Sequence, residues 1–324
     1  MDTTKKEVLL VGPLKPVVIR GLDGPCTLYK LATASDPDAF IAKHAHVRAI
    51  ACSDTREAIP GSLMARFPEL QIVSSFGVGY DHMDVKWAAA HNVILTNTPG
   101  VLTEEVADTA LGLLLCTVRE FPQADRYVHA GKWTEKAYPL TKASLRDRTV
   151  GLVGMGAIGQ AIARRLDAMK VPVVYHTRQK RDGLPYRHYP KLIDMARDVD
   201  ILLAIVPGGA GTANMINADV LDALGPRGIL INMARGSVVD ELALIKALQE
   251  KRIMSAGLDV FANEPEVPHE LRTMENVVLF PHLGSASVVT RERMDQLMVD
   301  NILAWAAGQP PLTPVSETPW RSWN

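Results

Sequence analysis

The sequence predicts an α/β protein with two Rossmann-like, doubly wound parallel-sheet domains, and three observations support this fold class. Short apolar runs alternate with helix-like segments along most of the 324 residues, as expected of βα repeats. Glycines at G-x-G-x-x-G spacing separate one apolar strand from the helix that follows it. Hydrophobic residues make up 47% of the chain, which is enough for two sizeable cores.

The first part of the chain is predicted to alternate strands with helices. Apolar runs at residues 8–11, 47–52 and 71–75 predict strands, and the segments at 36–46 and 63–67 have helical character. The regular alternation favours strands that run parallel, with the helices as crossover connections.

A loop with two glycines follows the strand predicted at 71–75. Gly77 and Gly79 lie where α/β proteins place ligand-binding loops, at the carboxyl end of a strand. Asp84 is placed to cap a helix at 85–91. The residues leave two interpretations open: a tight turn without further role, or exposed N–H groups that bind an anionic substrate.

The sequence indicates a crossing between domains near residue 98. A strand at 93–96 precedes Asn-Thr-Pro-Gly at 97–100, which breaks regular structure. A long helix at 103–119 follows, and its apolar stripe suits a core or a dimer interface. Residues 130–145 lack periodicity and predict a surface excursion, in which Trp133 is expected to pack.

The stretch at 149–166 predicts a dinucleotide-binding turn. Gly154 permits the tight turn, Gly156 lets the backbone approach a pyrophosphate, and Gly159 lets the helix pack on the strand. The helix N-terminus adds N–H groups and a positive dipole. An ordinary glycine-rich βα turn is the alternative. The predicted cofactor-binding residues here are Gly154, Met155, Gly156, Ala157, Ile158 and Gly159.

The end of the next strand indicates which nicotinamide cofactor is bound. An NAD site normally has an acidic residue there, but this chain has Thr177 followed by Arg178. An arginine offers paired donors to a phosphate, and the threonine adds a hydroxyl. NADP(H) is therefore the preferred prediction, and a solvated basic loop that accepts NAD(H) is the alternative.

Chemistry-bearing side chains follow three of the later predicted strands. Arg235, Glu264 and His282 each have an ordinary explanation as a surface cation, a loop carboxylate and a satisfied histidine. Because parallel strands end at one edge of the sheet, we expect them to converge near the glycine turn. The strands are predicted at 201–206, 229–232, 255–260 and 277–280, and helices at 218–224, 241–251 and 288–307.

Together these three side chains suit the reduction of a 2-keto acid by a nicotinamide. Arg235 would stabilise the charge that develops on the carbonyl oxygen as hydride arrives, and His282 would protonate that oxygen. Glu264 would orient His282 and favour its protonated form.

Four motifs resemble the signatures of the D-2-hydroxyacid dehydrogenase family, in the same order. They are Val-Gly-Met-Gly-Ala-Ile-Gly at 153–159, Ile-Asn-Met-Ala-Arg-Gly-Ser-Val-Val-Asp-Glu at 231–241, Gly-Leu-Asp-Val-Phe-Ala-Asn-Glu-Pro at 257–265 and Phe-Pro-His-Leu-Gly-Ser at 280–285.

The resemblance covers nearly the whole chain and implies roles for individual residues. Arg235, Glu264 and His282 would be the catalytic set, with Arg235 and His282 also touching substrate. Val78 and Gly79 would bind the substrate carboxylate through backbone, which favours the ligand-binding interpretation of that loop. Further cofactor contacts would come from Val206, Pro207, Thr212, Met233, Ala234, His282 and Gly284, with Asp259 facing the nicotinamide amide.

Within the family, the segments around residues 175–180 and 186–190 are most similar to NADPH-dependent glyoxylate, hydroxypyruvate and hydroxyphenylpyruvate reductases. The loop at 206–212 departs from the usual form by carrying Gly-Gly-Ala-Gly before its threonine. Family members are usually homodimers, so Trp133 is expected to reach the neighbouring subunit. The alternatives are an NAD-dependent oxidative dehydrogenase and a dinucleotide-sensing regulator without turnover.

Composition argues against several other classes of function. A formal net charge of −1 without long basic runs disfavours nucleic-acid and membrane-surface binding. No apolar run is long enough to span a bilayer, and no targeting segment is evident at the first residues, so we expect a cytoplasmic protein. Cys26, Cys52 and Cys116 lack metal-ligand spacing, so reduced thiols and no metal site are predicted.

The predicted domain boundaries follow from these assignments. Residues 1–98 and 288–324 form the substrate-binding domain, and residues 99–287 bind the dinucleotide. The active site is expected in the cleft between the domains, with hinge motion near Pro99 and Ser287.

Overall fold

The structure is a computed structural model that describes residues 5–321. The expectation of no targeting segment falls partly on residues 1–4, and the predicted substrate-binding domain includes residues 322–324; both stretches lie outside the described residues.

Within residues 5–321, strands and helices alternate along most of the chain. The strands are β1 (Lys6–Val11), β2 (Cys26–Lys30), β3 (Ala49–Cys52), β4 (Ile72–Ser75), β5 (Ile94–Thr96), β6 (Val150–Val153), β7 (Val173–His176), β8 (Arg187–Tyr189), β9 (Ile201–Ala204), β10 (Ile229–Asn232), β11 (Ser255–Leu258) and β12 (Val277–Leu279). The helices are α1 (Pro16–Leu22), α2 (Pro37–Lys43), α3 (Gly61–Met64), α4 (Val85–Ala90), α5 (Thr103–Arg119), α6 (Phe121–His129), α7 (Ala157–Ala168), α8 (Leu192–Asp198), α9 (Ala218–Leu224), α10 (Glu241–Gln249), α11 (His269–Thr273) and α12 (Val288–Ala306).

The chain divides into two compact units. The first unit contains the described parts of Met1–Leu102 and Ser287–Asn324, and the second is Thr103–Ala286. Each unit is an α/β structure with its own parallel sheet, which confirms the predicted fold class.

The first unit is built on a sheet of strand order β2-β1-β3-β4-β5, all parallel. Its interior is lined by fully buried aliphatic side chains such as Leu9, Ile50 and Val73. Helix α12, from the far end of the chain, packs against this sheet. The Ser74 hydroxyl donates to the Met298 carbonyl of the helix over 3.0 Å. The Lys15 ammonium also contacts Asp295 at 2.9 Å.

The second unit is built on a sheet of order β12-β11-β10-β9-β6-β7-β8, again all parallel. The chain order reverses on either side of β6, so the carboxyl ends of β6 and β9 flank a switch point, where α/β sheets bind ligands. Strands buried on both faces explain why β9 and β10 are almost wholly aliphatic.

Several short elements are not among those predicted from the sequence. Edge strands β2 and β8 are partly exposed and carry polar residues, so they lack an apolar run. Helix α6 buries no residue at all. Strands β1, β3, β4 and β5 end where predicted, later elements such as β9 and α10 end one or two residues early, and α2 and α3 end three residues early. Both bounds of α5, α9 and β10 are as predicted.

The described residues contain neither a candidate membrane span nor a cluster of metal-ligating side chains. None of the helices in residues 5–321 has the length and apolarity that a membrane span requires. In the same part of the chain, no group of three or more His, Cys, Asp and Glu side chains is arranged to hold a metal ion. All three cysteines are free thiols.

Candidate functional site

The glycine turn after β6 is shaped by close backbone approach. Gly154 has φ +110°, a conformation that disfavours other residues. A Cβ at Gly154 would lie 2.7 Å from the Ile205 carbonyl oxygen, and one at Gly159 would lie 2.5 Å from the Gly154 carbonyl oxygen. The Gly154 N–H donates to the His176 carbonyl over 3.0 Å. Two of the three fingerprint glycines are therefore required by the turn itself.

Gly156 differs from the other two because no atom lies within 4 Å of where its Cβ would be. It is the N-cap of α7 and supplies no side-chain cap to the helix. The first-turn N–H groups of this 12-residue helix are thus left for an anion. This open cradle suits the pyrophosphate of a dinucleotide.

The turn after β7 lies beside the glycine turn, since β6 and β7 pair through Val153 and His176. Thr177 is half-buried, and Arg178 is exposed. The Thr177 hydroxyl donates to the Gln179 carbonyl over 2.6 Å, so its proton closes the turn. Within the described residues the Arg178 guanidinium makes no hydrogen bond or ion pair, which leaves it available to a phosphate.

His282 and Glu264 form a direct pair in the second unit. The ring nitrogen Nδ1 of His282 lies 2.7 Å from Oε2 of Glu264, and the other carboxylate oxygen accepts the Phe261 N–H over 3.1 Å. Since a carboxylate oxygen accepts, the proton between them is on Nδ1. The ring therefore keeps Nε2 for a reacting group.

The pKa of Glu264 is lowered in part by this pairing. Burial by itself raises that pKa, but the hydrogen bond and charge of His282 act against it, with help from the Phe261 N–H and from Arg235. The net result is a Glu264 pKa below its ordinary value. The folded protein thus favours an ionised carboxylate beside the imidazole.

Asp259 lies directly after β11 and is 2% exposed. Its two oxygens accept the N–H groups of Leu283 and Gly284, and its carbonyl accepts the His282 N–H over 2.8 Å. Burial raises the Asp259 pKa, against the two amide hydrogen bonds. His282 itself has φ +55°. The carboxylate thus holds the loop that carries the histidine and retains lone pairs for a further donor.

Arg235 follows β10 in a loop shaped by a buried asparagine. The Asn232 side-chain nitrogen donates to the Arg235 carbonyl over 3.0 Å, and its oxygen accepts the Ala234 N–H over 3.1 Å. The Arg235 nitrogen Nη1 donates to the Ala234 carbonyl over 2.9 Å. Sequence reasoning missed Asn232, although a polar residue ending an aliphatic strand within the quoted motif is a usable signal.

Gly236 brings the arginine loop against the loop that carries Glu264. A Cβ at Gly236 would lie 1.9 Å from the Phe261 carbonyl carbon, so the two backbones touch there. The structure thus joins the segments of Arg235, Glu264 and His282 through Phe261 and Asp259.

The remaining predicted cofactor residues of this unit surround the switch point. Met233 and Ala234 are buried, Val206 is half-buried and Pro207 is exposed. The Thr212 hydroxyl lies within hydrogen-bond distance of the Pro207 carbonyl at 2.7 Å and the Gly209 carbonyl at 3.2 Å. The glycine-rich loop is therefore closed on itself.

In the first unit, the loop after β4 is fixed by Thr98 and Asn97. Gly77 has φ +103°. Its N–H donates to the Thr98 hydroxyl over 3.0 Å, and its carbonyl accepts the Thr98 N–H over 2.8 Å. The Asn97 amide donates to the Val78 carbonyl over 2.8 Å. Asp84 accepts the Trp87 N–H and caps α4, as predicted.

The two sheets and the glycine turn define an α/β protein with a dinucleotide-binding unit. The family model described as D-isomer specific 2-hydroxyacid dehydrogenase, NAD binding domain, matches residues 111–284. The chain belongs to the D-isomer specific 2-hydroxyacid dehydrogenase family, which confirms the resemblance found in the motifs.

Alignments with relatives of known name cover almost the whole chain. The chain is 40% identical to glyoxylate/hydroxypyruvate reductase A of Arabidopsis thaliana over 308 residues, covering 95% of this chain and 98% of the relative. The figures are the same for hydroxyphenylpyruvate reductase of Plectranthus scutellarioides. A crystal structure of an NADPH-dependent glyoxylate/hydroxypyruvate reductase from Sinorhizobium meliloti, with NADP and malonate, is 50% identical at a TM-score of 0.93, covering 99% and 100%.

Proposed function

We propose that the protein reduces a small 2-keto acid, of the glyoxylate or hydroxypyruvate class, to the D-2-hydroxy acid with NADPH. The observation that carries this proposal is the His282–Glu264 pair at 2.7 Å, a proton donor with its orienting carboxylate. The relatives that bear reductase names support the reaction and its direction.

The side chains of the second unit supply the acid and the electrostatics of this reaction. The nicotinamide, when bound, supplies a hydride to the carbonyl carbon. Arg235 stabilises the negative charge on the carbonyl oxygen, and the Nε2 proton of His282 passes to that oxygen. Glu264 stabilises the protonated ring before transfer, and Asn232 keeps the arginine loop in place.

We propose that the substrate carboxylate binds the backbone of Val78 and Gly79. Among the described residues no hydrogen bond occupies the N–H group of either one. The contacts of Gly77 with Thr98 and of Val78 with Asn97 hold this loop without using those donors. Backbone N–H groups at a turn suit a carboxylate.

NADP(H) is the proposed cofactor, with NAD(H) as a weaker alternative. Arg178 is exposed next to the glycine turn, and no acidic residue ends β7 to repel a 2′-phosphate. The NADP in the structure of the Sinorhizobium relative supports this choice.

We also propose a homodimer that acts in the cytoplasm. The excursion after α5 exposes large apolar side chains, with Trp133 at 66% and Leu140 at 97% exposure, which suits burial against a second copy. The three free thiols suit a reducing compartment.

Initial rates at 340 nm test the proposed function. NADPH and NADH are each offered with glyoxylate, hydroxypyruvate and phenylpyruvate, and we expect turnover that is faster with NADPH. Turnover only in the reverse assay, in which NAD⁺ is offered with the corresponding 2-hydroxy acids, would support the oxidative alternative. Tight nucleotide binding without turnover on any of the three acids would support a dinucleotide sensor instead.

A further inference from the structure

The turn from Thr177 to Arg181 is held at both ends by side chains from neighbouring strands. The Tyr175 hydroxyl accepts the Arg181 N–H over 2.9 Å and lies 3.4 Å from the Arg181 carbonyl. The His188 nitrogen Nε2 donates to the Thr177 carbonyl over 2.9 Å. One side chain thus fixes the end of the turn, and the other fixes its start.

The Tyr175 and His188 side chains that hold the turn also contact each other. Tyr175 and His188 are paired in register between β7 and β8, and their ring centroids are 5.1 Å apart. Tyr175 is fully buried. The His176 nitrogen Nδ1 donates to the Tyr189 carbonyl over 2.8 Å, which ties the same strand ends together. Inside the turn, Thr177 bonds Gln179, so the backbone has little freedom left.

These contacts act on the residue that discriminates between cofactors. Arg178 lies between the anchored Thr177 and the bonded Gln179, and its own side chain is exposed. An arginine binds a phosphate well only when its planar donors meet two oxygens, so its placement matters as much as its charge.

We propose that Tyr175 and His188 are positioning residues for NADP(H) selectivity, because they hold the turn in the shape from which Arg178 binds the 2′-phosphate. The inference rests on the proposed NADP(H) preference. It adds that two side chains with no phosphate contact of their own set the strength of that preference.

Binding calorimetry tests this directly, with adenosine 2′,5′-bisphosphate and 5′-AMP as probes and NADP⁺ and NAD⁺ as full cofactors. For Tyr175→Phe and His188→Leu we expect affinity for the two 2′-phosphate ligands to fall about fivefold to tenfold, as for one lost hydrogen bond. Affinity for 5′-AMP and NAD⁺ is expected to stay unchanged, as is kcat with saturating NADPH.

Two further variants separate positioning from general damage. Tyr189→Phe is the control on the adjacent strand β8. The Tyr189 hydroxyl donates to Asp198 over 2.7 Å and does not contact the turn, so its removal should leave cofactor selectivity unchanged. His188→Gln keeps an N–H donor and should restore part of the selectivity lost in His188→Leu. If Tyr175→Phe does not fold, the two His188 variants decide.

The proposal is overturned if the variants weaken both ligand classes equally or leave selectivity unchanged. A wild-type protein without preference for the 2′-phosphate ligands overturns it as well. A protein that shows the preference and the variant effects, yet reduces no 2-keto acid, supports this inference while contradicting the proposed function.

Discussion

Buried polar side chains hold the backbone at two of the three loops that carry the proposed catalytic groups, those of Arg235 and His282. The Asn232 side-chain amide donates to the Arg235 carbonyl and accepts the Ala234 N–H. The two carboxylate oxygens of Asp259 accept the N–H groups of Leu283 and Gly284, directly after His282. Buried polar groups of this kind are costly unless they are bonded. Their contacts therefore show which backbone segments the fold holds in place.

Replacing His282 by asparagine tests the proton donor. The amide cannot act as an acid, so keto-acid reduction is expected to fall by about 10²- to 10⁴-fold. The glycine turn is untouched, so NADPH affinity measured by fluorescence titration should remain. Equal activity in the variant would remove His282 from the mechanism.

Replacing Glu264 by glutamine tests the charge beside His282. The Glu264 pKa is below its ordinary value of 4.5, so the carboxylate is ionised above that pH and favours the protonated ring. Without the charge we expect keto-acid reduction to slow, because the proton proposed to pass from the ring loses its ionised partner; kcat/KM measured from pH 5 to 10 checks this.

Two outcomes of the Glu264→Gln experiment are informative. A superimposable pH profile would show that the carboxylate only orients the ring. Stability adds an independent check, because a lowered folded-state pKa means that the ionised carboxylate stabilises the fold above pH 4.5 and that this contribution is lost as pH falls below it. The wild-type advantage over the variant should shrink in acid.

At the scale of elements, β6 and α7 meet through glycine, and the three fingerprint glycines have different tasks. Gly154 and Gly159 are needed because backbone occupies the space of a side chain, whereas Gly156 faces open space. The same sequence motif thus contains residues required for packing and one left free for a ligand.

The matched variants Gly159→Ala and Gly156→Ala should separate these tasks. The methyl at 159 meets the Gly154 carbonyl, so we expect a loss of about 1–3 kcal/mol in the free energy of unfolding. The methyl at 156 meets no protein atom and should change stability by less than about 0.5 kcal/mol. It should lower NADPH affinity by about tenfold or more, since it occupies the proposed pyrophosphate cradle.

Urea denaturation and nucleotide titration measure the two effects separately. A stable Gly159→Ala protein would show that α7 can shift away from the turn. Full NADPH affinity in Gly156→Ala would place the pyrophosphate elsewhere.

Helix α12 belongs to the first unit although it lies far from the rest of that unit in the chain. Its Trp305 donates to the Gln71 side-chain oxygen over 2.9 Å, and Asp295 pairs with Lys15. Burial lowers the Lys15 pKa and raises the Asp295 pKa, and their contact opposes both shifts. The first unit therefore depends on a segment that follows the whole second unit in the chain.

At the scale of the whole molecule, the proposed homodimer is the main open prediction. Sedimentation should give twice the 35.3 kDa of one chain. Leu140→Asp places a charge on the exposed apolar excursion and should shift the protein toward monomer, because an unpaired charge is costly in an interface. Leu242→Asp is the control, since Leu242 is also highly exposed, at 80%, but lies on α10.

The sedimentation result has a clear contrary outcome. A wild-type monomer at working concentration would refute the dimer and the proposed role of Trp133. Equal dissociation by Leu140→Asp and Leu242→Asp would place the interface elsewhere.

Much of the fold was predictable because its signals are local. An aliphatic run with glycines at fixed spacing indicates β6 and α7, and a capped periodic segment indicates α4. Edge strand β8 was not predictable in this way, because its three residues, Arg-His-Tyr, are held by pairing with β7 and carry no apolar run.

The sequence by itself determined the α/β class, the dinucleotide turn and the identity of Arg235, Glu264 and His282 as candidates, since these depend on residue type and short spacing. The tertiary structure decided the strand order, the contact between His282 and Glu264, and the side chains that hold each loop. These depend on segments far apart in the chain, whose meeting is set by the packing of whole sheets and not by any local pattern.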